Sequence, residues 1–251
     1  MSKRPDLFTS YQKEISIFPN NTQKFWFLTL LIASIYVCFV ASDYWLILLT
    51  NALLVSIAAW GLNIVSGLAG QINLAHGVFV GIGTYTSAVL GGVATRSVIG
   101  FELDLIIWLP LSGIAAALIG LIISPIAVRL KGLNLGLVTL AFVFIGAHFF
   151  NNMTFVTGGS GLGRKAAKLN IFGIDFNSGY QIGEFLIQKN QILYLISLLV
   201  AVLLGLGVKN LVRSKTGRAF AAIRDRDIAA EALGINLFKF KATALACLLY
   251  T

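Results

Sequence analysis

The sequence indicates an all-α, polytopic membrane protein. Only 12% of the 251 residues are charged, and 57% are hydrophobic. Soluble domains carry roughly 25% charged residues, so a water-soluble fold of this size could not cover its surface with so few ionic groups. The hydrophobic residues also gather in runs of about 20, the length needed to cross roughly 30 Å of hydrocarbon. We therefore expect a bundle of transmembrane helices.

Six runs predict complete transmembrane helices. They cover residues 25–41, 44–65, 78–95, 105–128, 133–150 and 191–208. The first is too long for a cleavable signal peptide, so we expect it to remain. A seventh run follows Lys241 and could rise only about 15 Å as helix. We expect a partial seventh helix, from a chain truncated at its C-terminus or shielded by another subunit.

The charges predict the orientation. With residues 1–24 as a cytoplasmic tail, 14 of the 19 Lys and Arg residues fall on the inner side. The positive-inside rule therefore predicts a cytoplasmic N-terminus. It also makes residues 151–190 an extracytoplasmic loop and residues 213–240 a cytoplasmic segment. Because topology accounts for the basic charge, no nucleic-acid partner is predicted.

The predicted spans lack the groups that coupling ions and metals need. They contain no Asp, Glu, Lys or Arg, although ion-coupled carriers usually keep an intramembrane carboxylate. The two cysteines, Cys38 and Cys247, lie in apolar runs without metal-ligand spacing. We predict no metal site, no cofactor and no catalytic residue, and expect driving energy to enter elsewhere.

Residues 61–77 join the second and third spans and are rich in glycine and polar side chains. Irregular polar backbone at membrane depth is tolerated where it is buried in protein or lines a water-filled cavity. The segment is therefore either a discontinuous helix facing a polar solute or an ordinary cytoplasmic turn. On the first interpretation, the candidate pathway residues are Asn63, Gly67, Gly70, Gln71, Asn73, His76 and Gly77.

The cytoplasmic segment after the sixth span predicts an amphipathic helix. It is rich in alanine, has no proline, and reaches Gly234, a typical residue just past a helix C-terminus. The spacing of Phe220, Ile223, Ala230 and Leu233 places them on one face. This helix either docks against a partner or lies as a linker on the lipid surface.

Three ordered blocks of the sequence resemble one family. They read GLNIVSGLAGQINLAHGVFVGIGTYTSAVL, then RLKGLNLGLVTLAF followed by NN and TGGSGLG, then TGRAFAAIRDRDIAAEALGIN. Together they resemble the inner-membrane permeases of branched-chain amino acid ABC importers. The resemblance implies that residues 25–251 form a permease transmembrane domain and that residues 216–234 form its coupling helix.

The resemblance also implies partners and coupling residues. The partners would be a second permease subunit, two cytoplasmic ATPases, an extracytoplasmic binding protein landing on residues 151–190, and membrane lipid. The coupling positions would be Gly217, Arg218, Ala222, Arg224, Asp225, Ala229, Ala230, Glu231 and Gly234. Ile228 stands where the wider superfamily has Glu, which removes one expected polar contact.

The leading hypothesis is a non-enzymatic permease subunit in a bacterial inner membrane. It would carry hydrophobic amino acids by alternating access, with ATP hydrolysed on separate subunits. Urea or short amides are alternative cargoes of the same family. A stand-alone channel or secondary carrier is an alternative of another class. A membrane enzyme using His76 or His148 would lack a metal set and a paired acid or base.

Overall fold

The protein is described by a computed structural model covering residues 20–95, 98–130, 132–159, 163–171, 174–176, 180–182 and 185–248. Most of the predicted N-terminal tail, residues 1–19, and the last three residues lie outside the described residues. Ten α-helices are described: α1 Asn21–Val40, α2 Asp43–Leu62, α3 His76–Gly91, α4 Leu105–Arg129, α5 Leu133–Asn152, α6 Thr154–Thr157, α7 Lys189–Arg213, α8 Lys215–Asp225, α9 Asp227–Ala232 and α10 Leu237–Leu248.

Five of the helices in the described part of the chain are long and apolar enough to cross a membrane: α1, α2, α4, α5 and α7. Many of their large apolar side chains point outward; Val55, Ile122 and Phe144, for example, are 67%, 75% and 69% exposed. An apolar lateral surface of this kind is stable in lipid and not in water. The prediction of a polytopic helical membrane protein is therefore confirmed.

The predicted third span is shorter than expected. Helix α3 has 16 residues, a rise of about 24 Å, and ends at Gly91, short of residue 95. The chain then folds back, and the N–H groups of Phe101 and Leu103 donate to the carbonyls of Val89 and Leu90 at 3.0 and 2.8 Å. These bonds satisfy carbonyls left free where the helix ends. The apolar run continued past this point, which is why hydrophobicity alone overestimated the helix.

The predicted outer loop contains two small antiparallel hairpins. Strand β1 (Asn170–Ile171) pairs with β2 (Ile174–Asp175), and β3 (Tyr180–Ile182) pairs with β4 (Phe185–Ile187). These short strands lie in the connection between α6 and α7 and leave the predicted all-α class of the membrane domain unchanged. Ile, Tyr and Phe favour strands, and strands this short carry no alternation that a sequence reading detects.

Two inner seams hold the bundle together. Helix α2 packs along α7, while α4 packs against both α3 and α10. The centre of the second seam is a cluster of buried side chains: Val65, Ala75, Phe79, Ala116, Leu135 and Leu245.

In α4, Pro125 cannot donate to the carbonyl of Leu121, and the hydroxyl of Ser124 donates to that carbonyl instead, at 2.9 Å.

The predicted coupling helix is two helices and not one. Helix α8 ends at Asp225, Arg226 is extended (φ −156°, ψ 104°), and α9 follows. Phe220, Ile223 and Ala230 are buried, whereas Leu233, which the spacing placed on the same face, is 80% exposed. The break shifts the helical phase and separates Leu233 from that face. Gly234 follows α9 with φ +82°, as expected for a residue ending a helix.

Candidate functional site

The connection between α2 and α3, called the break segment here, comprises residues 63–75. It begins as a π-helix, Asn63–Leu68, and continues without helical structure to Ala75. Gly70 adopts φ +64°, a left-handed conformation that favours glycine. The N–H of Gln71 donates to the carbonyl of Val65 at 3.0 Å, and that of Leu74 donates to the hydroxyl of Thr139 at 3.1 Å. The connection is therefore part π-helix and part irregular backbone, and both interpretations, a discontinuous helix facing a polar solute and a cytoplasmic turn, stay predictions.

The break segment is in direct contact with α8, the first of the two helices in the segment predicted to be cytoplasmic. Arg224 Nη1 of α8 donates to the carbonyl of Gly67 at 2.7 Å. The stem of the same side chain lies over Gly70, where an added Cβ would be 2.6 Å from Arg224 Cγ. Only glycine allows this approach, because any side chain at residue 70 would displace the arginine. Arg224, a predicted coupling residue, thus contacts two predicted pathway residues, Gly67 and Gly70.

The inner face of α8 is anchored by apolar burial. Phe220 is 1% exposed and packs with Ile64, Ala69 and Ala244, which belong to the π-helix, the break segment and α10. Gly217 sits so close to the end of α7 that an added Cβ would collide with the carbonyl of Val212. Helix α8 is consequently held between α7 and the break segment.

A buried ion pair joins helix α9 to helix α10. Lys241 Nζ of α10 lies 2.9 Å from Asp227 Oδ2 at the start of α9, and the two side chains are 8% and 20% exposed. The sequence reading used Lys241 only as a topology charge. The partners lie on different helices separated by the turn at Gly234, so helical periodicity contains no signal for the pair.

A cleft of about 210 Å³, the coupling cleft, opens between these elements. Its lining includes Gly70 and Gln71 of the break segment, Leu135 of α5, Arg224 to Asp227, and Lys241. Gln71 is 5% exposed, and neither its amide nitrogen nor its amide oxygen has a hydrogen-bond partner among the described residues. The cleft combines both charge signs with a buried amide.

Most of the remaining predicted coupling residues are exposed to solvent. Arg218, Asp225, Ala229, Glu231 and Gly234 are exposed, Ala222 is half-buried, and only Gly217 and Ala230 face inward. The same outer face carries two large apolar side chains, Ile228 and Leu233, at 81% and 80% exposure. The sequence reading treated Ile228 as a missing polar contact and placed Leu233 on one helical face with Phe220, Ile223 and Ala230. Both are instead apolar side chains available at the surface.

The seven predicted pathway residues do not share one surface. Gly70 and Gln71 line the coupling cleft, and Asn73 lines a void of about 20 Å³ beside α4 and α5. His76 lines a separate apolar cavity of about 500 Å³ bounded by α2, α3, α4 and α7. Asn63, Gly67 and Gly77 line none of these three spaces. The pathway role of these residues stays a prediction.

His76 is polar and poorly solvated. Both ring nitrogens are buried and make no hydrogen bond of normal geometry in the described structure, and the backbone of Ala58 faces the ring. The other candidate histidine, His148, is paired with Asn152 one turn later on α5, at 3.0 Å. His76 is therefore the histidine whose hydrogen-bonding capacity faces a cavity.

These features define a class of protein: a polytopic helical membrane protein in which helix α8 contacts the irregular connection between α2 and α3. Residues 44–248 match the family model described as branched-chain amino acid transport system / permease component. The chain belongs to this family.

Two curated relatives agree with the family model. The chain is 31% identical over 234 residues to the high-affinity branched-chain amino acid transport system permease proteins LivM of Salmonella typhimurium and Escherichia coli. The match covers 88% of this chain and 53% of each relative. The chain thus spans about half the length of the curated relatives it matches. No solved structure matches it.

Proposed function

We propose that the chain acts as a permease subunit of an ATP-driven ABC importer for branched-chain amino acids in a bacterial inner membrane. The observation that supports this most strongly is the contact of Arg224 with Gly67 and Gly70. It joins the helices that resemble a coupling segment to the irregular connection between α2 and α3. The relatives' names supply the substrate class.

In this proposal the N-terminus is cytoplasmic and six helices cross the membrane completely. They are the five long apolar helices and α3, which has only 16 residues. Helix α10 is the partial seventh. The alternating directions of the helices then place α8, α9 and the coupling cleft on the cytoplasmic side. Residues 151–190, with their two hairpins, lie outside and form the landing surface for a substrate-binding protein.

The proposed mechanism is alternating access driven through α8 and α9. Ile228 and Leu233 offer apolar anchors, with Arg218 and Glu231 exposed on the same segment. Buried apolar anchors within a polar rim are typical of binding interfaces. Closure of the two ATPase subunits pushes this face, and Arg224 and the Asp227–Lys241 pair carry the displacement to the break segment and α10. A second permease subunit completes the pathway.

The first test is recovery of the tagged chain from detergent-solubilised native membranes, followed by mass spectrometry. An ABC ATPase should co-purify. Uptake per ATP hydrolysed is then compared between the wild type and Arg224→Gln. The lost charged hydrogen bond is worth about 1 kcal/mol after allowance for the 55% exposure of Arg224, so a reduction of about fivefold is expected.

Arg129→Gln is the matched control, because Arg129 is an exposed cation at the end of α4 on the predicted cytoplasmic side, and its side chain forms no hydrogen bond or ion pair with the described residues. Equal coupling in Arg224→Gln and Arg129→Gln would contradict the proposed mechanism. Uptake by the purified chain without any ATPase would favour a stand-alone channel or carrier.

A further inference from the structure

Two cavities meet inside the transmembrane bundle. The apolar cavity of about 500 Å³ that contains His76 adjoins a second cavity of about 520 Å³, the outer cavity, at the end of α3 nearest the predicted outer loop. Five residues line both spaces: Thr84, Ser87, Trp108, Leu169 and Leu193. We call this shared boundary the junction. The two cavities therefore form one route from the outer loop into the bundle.

The outer cavity is positively charged. Arg164 and Lys189 line it, and no Asp or Glu occurs among the described residues that line either cavity. Arg164 is held in place by donating to the carbonyls of Val156 and Ile99. Desolvation by partial burial lowers the pKa of its guanidinium from the ordinary value, because burial disfavours the cation. An incoming anion would offset that desolvation.

The junction offers hydrogen-bonding groups in an apolar wall. Trp108 Nε1 is buried and has no acceptor among the described residues. The hydroxyls of Thr84 and Ser87 donate to carbonyls of their own helix at 2.8 Å, so their oxygens remain able to accept. An indole donor beside two hydroxyl acceptors matches a group that has both oxygens and N–H donors.

Beyond the junction the cavity is aliphatic and kept open by glycine. Its walls include Ile57, Val80 and Val200. Gly83 and Gly113 also line it, and a Cβ added at either position would meet no atom within 4 Å. A volume of about 500 Å³ is within the range of roughly 300–1,000 Å³ usual for small-molecule sites.

We propose that these cavities bind one free aliphatic α-amino acid, with its carboxylate at the cationic side of the junction and its side chain in the apolar cavity. This inference rests on the proposed function and adds a substrate site within this single chain. His76 lies eight residues before Thr84 on α3, about 12 Å away along the axis. A bound amino acid therefore does not reach His76 from the junction, and His76 is the next polar group along the route.

The binding claim is tested by cysteine protection, without ATP. Gly83→Cys, in a Cys247→Ser background, is labelled in the membrane-embedded chain with a small anionic methanethiosulfonate. Cys38 is 0% exposed and stays in place. Leucine at ten times its half-saturating concentration should slow labelling about tenfold. Gly207→Cys on α7 is the matched control, because Gly207 lines neither cavity and also has open space around it.

Three results would overturn the inference. Labelling that leucine does not slow would show that the cavity does not bind it. Equal protection by leucinamide, which lacks the carboxylate, would refute the assigned orientation. A Gly83→Cys thiol that never reacts, with or without leucine, would mean that lipid or another polypeptide segment fills the cavity.

Uptake separates this inference from the proposed function. Gly83→Leu should fill the apolar cavity and reduce ATP-driven leucine uptake at least tenfold, whereas Gly207→Leu should transport like the wild type. If the wild type takes up leucine and Gly83→Leu is equally active, the site is wrong and the proposed function stands. If the wild type shows no ATP-driven uptake while leucine still protects Gly83→Cys, the site stands and the ATP-driven function is wrong.

Discussion

Replacing Lys241 by methionine should lower the free energy of unfolding, because it removes the ion pair that joins α9 to α10. The ammonium group pairs with Asp227 at 2.9 Å, and both side chains are less than a third exposed. Breaking a buried ion pair by removing one of its two members costs about 3–5 kcal/mol. The 20% exposure of Asp227 allows partial rehydration, which places the expected loss near the lower limit, at about 3 kcal/mol.

The loss is measurable as a change in thermal stability. For a chain of this size 1 kcal/mol shifts Tm by about 2–4 °C, so Lys241→Met should lower the Tm of the detergent-solubilised protein by about 6–12 °C. Lys239→Met is the matched control, because Lys239 is an exposed residue on the same helix. Its Tm should change by no more than about 2 °C, as expected for a surface substitution.

The double variant Lys241→Met/Asp227→Asn identifies the cause. Because the two charges interact directly, the double variant should lose less stability than the sum of the losses of Lys241→Met and Asp227→Asn. The reasoning would be refuted if Lys241→Met and Lys239→Met had the same Tm. It would also be refuted if the double variant lost the sum of the two single losses.

Two further substitutions test the packing around the break segment. At residue 70, where φ is +64°, Gly70→Ala places a Cβ 2.6 Å from Arg224 Cγ and should displace the arginine. Uptake per ATP should fall at least as much as in Arg224→Gln. Coupling equal to the wild type would contradict the assigned contact. Phe220→Ala removes a side chain that is 1% exposed and should cost about 3–5 kcal/mol in thermal unfolding, whereas Phe238→Ala, at a 52% exposed position, should cost less than about 1 kcal/mol; similar losses would show that Phe220 does not anchor α8.

The membrane-spanning character was predictable because it depends on local properties. A helix that crosses lipid needs an apolar run of a certain length. Helices α4, α5 and α7 begin within two residues of the predicted runs, and α4 and α5 also end within two residues of them. Gly234 was predictable for the same reason, since a left-handed residue just past a helix end is most easily supplied by glycine.

The features that were missed depend on tertiary contacts. The end of α3 is set by hydrogen bonds from Phe101 and Leu103, which lie beyond it in the chain. Arg226 has no side-chain feature that forbids a helix, so the break between α8 and α9, which separates exposed Leu233 from the face of Phe220 and Ile223, was not visible. The Lys241–Asp227 pair depends on how α9 and α10 fold together.

The candidate site was partly predictable. Glycine and polar residues drew attention to the irregular connection between α2 and α3, and Arg224 was identified through a family resemblance. Their contact was not foreseen, because nothing in the spacing of Gly67, Gly70 and Arg224 relates positions more than 150 residues apart. Trp108 was missed for a different reason. An indole in an apolar run is usually core, and only its unpartnered Nε1 beside two cavities distinguishes it.

The most direct test of the proposed coupling role is photo-cross-linking from position 228 in native membranes. Ile228 is replaced by a photoreactive amino acid, and Ile122, 75% exposed on the apolar surface of α4, is replaced in a parallel variant. We predict a protein adduct with an ABC ATPase from position 228 and only lipid adducts from position 122. No ATPase adduct from position 228, or the same adduct from both positions, would contradict the proposal that α8 and α9 dock on an ATPase.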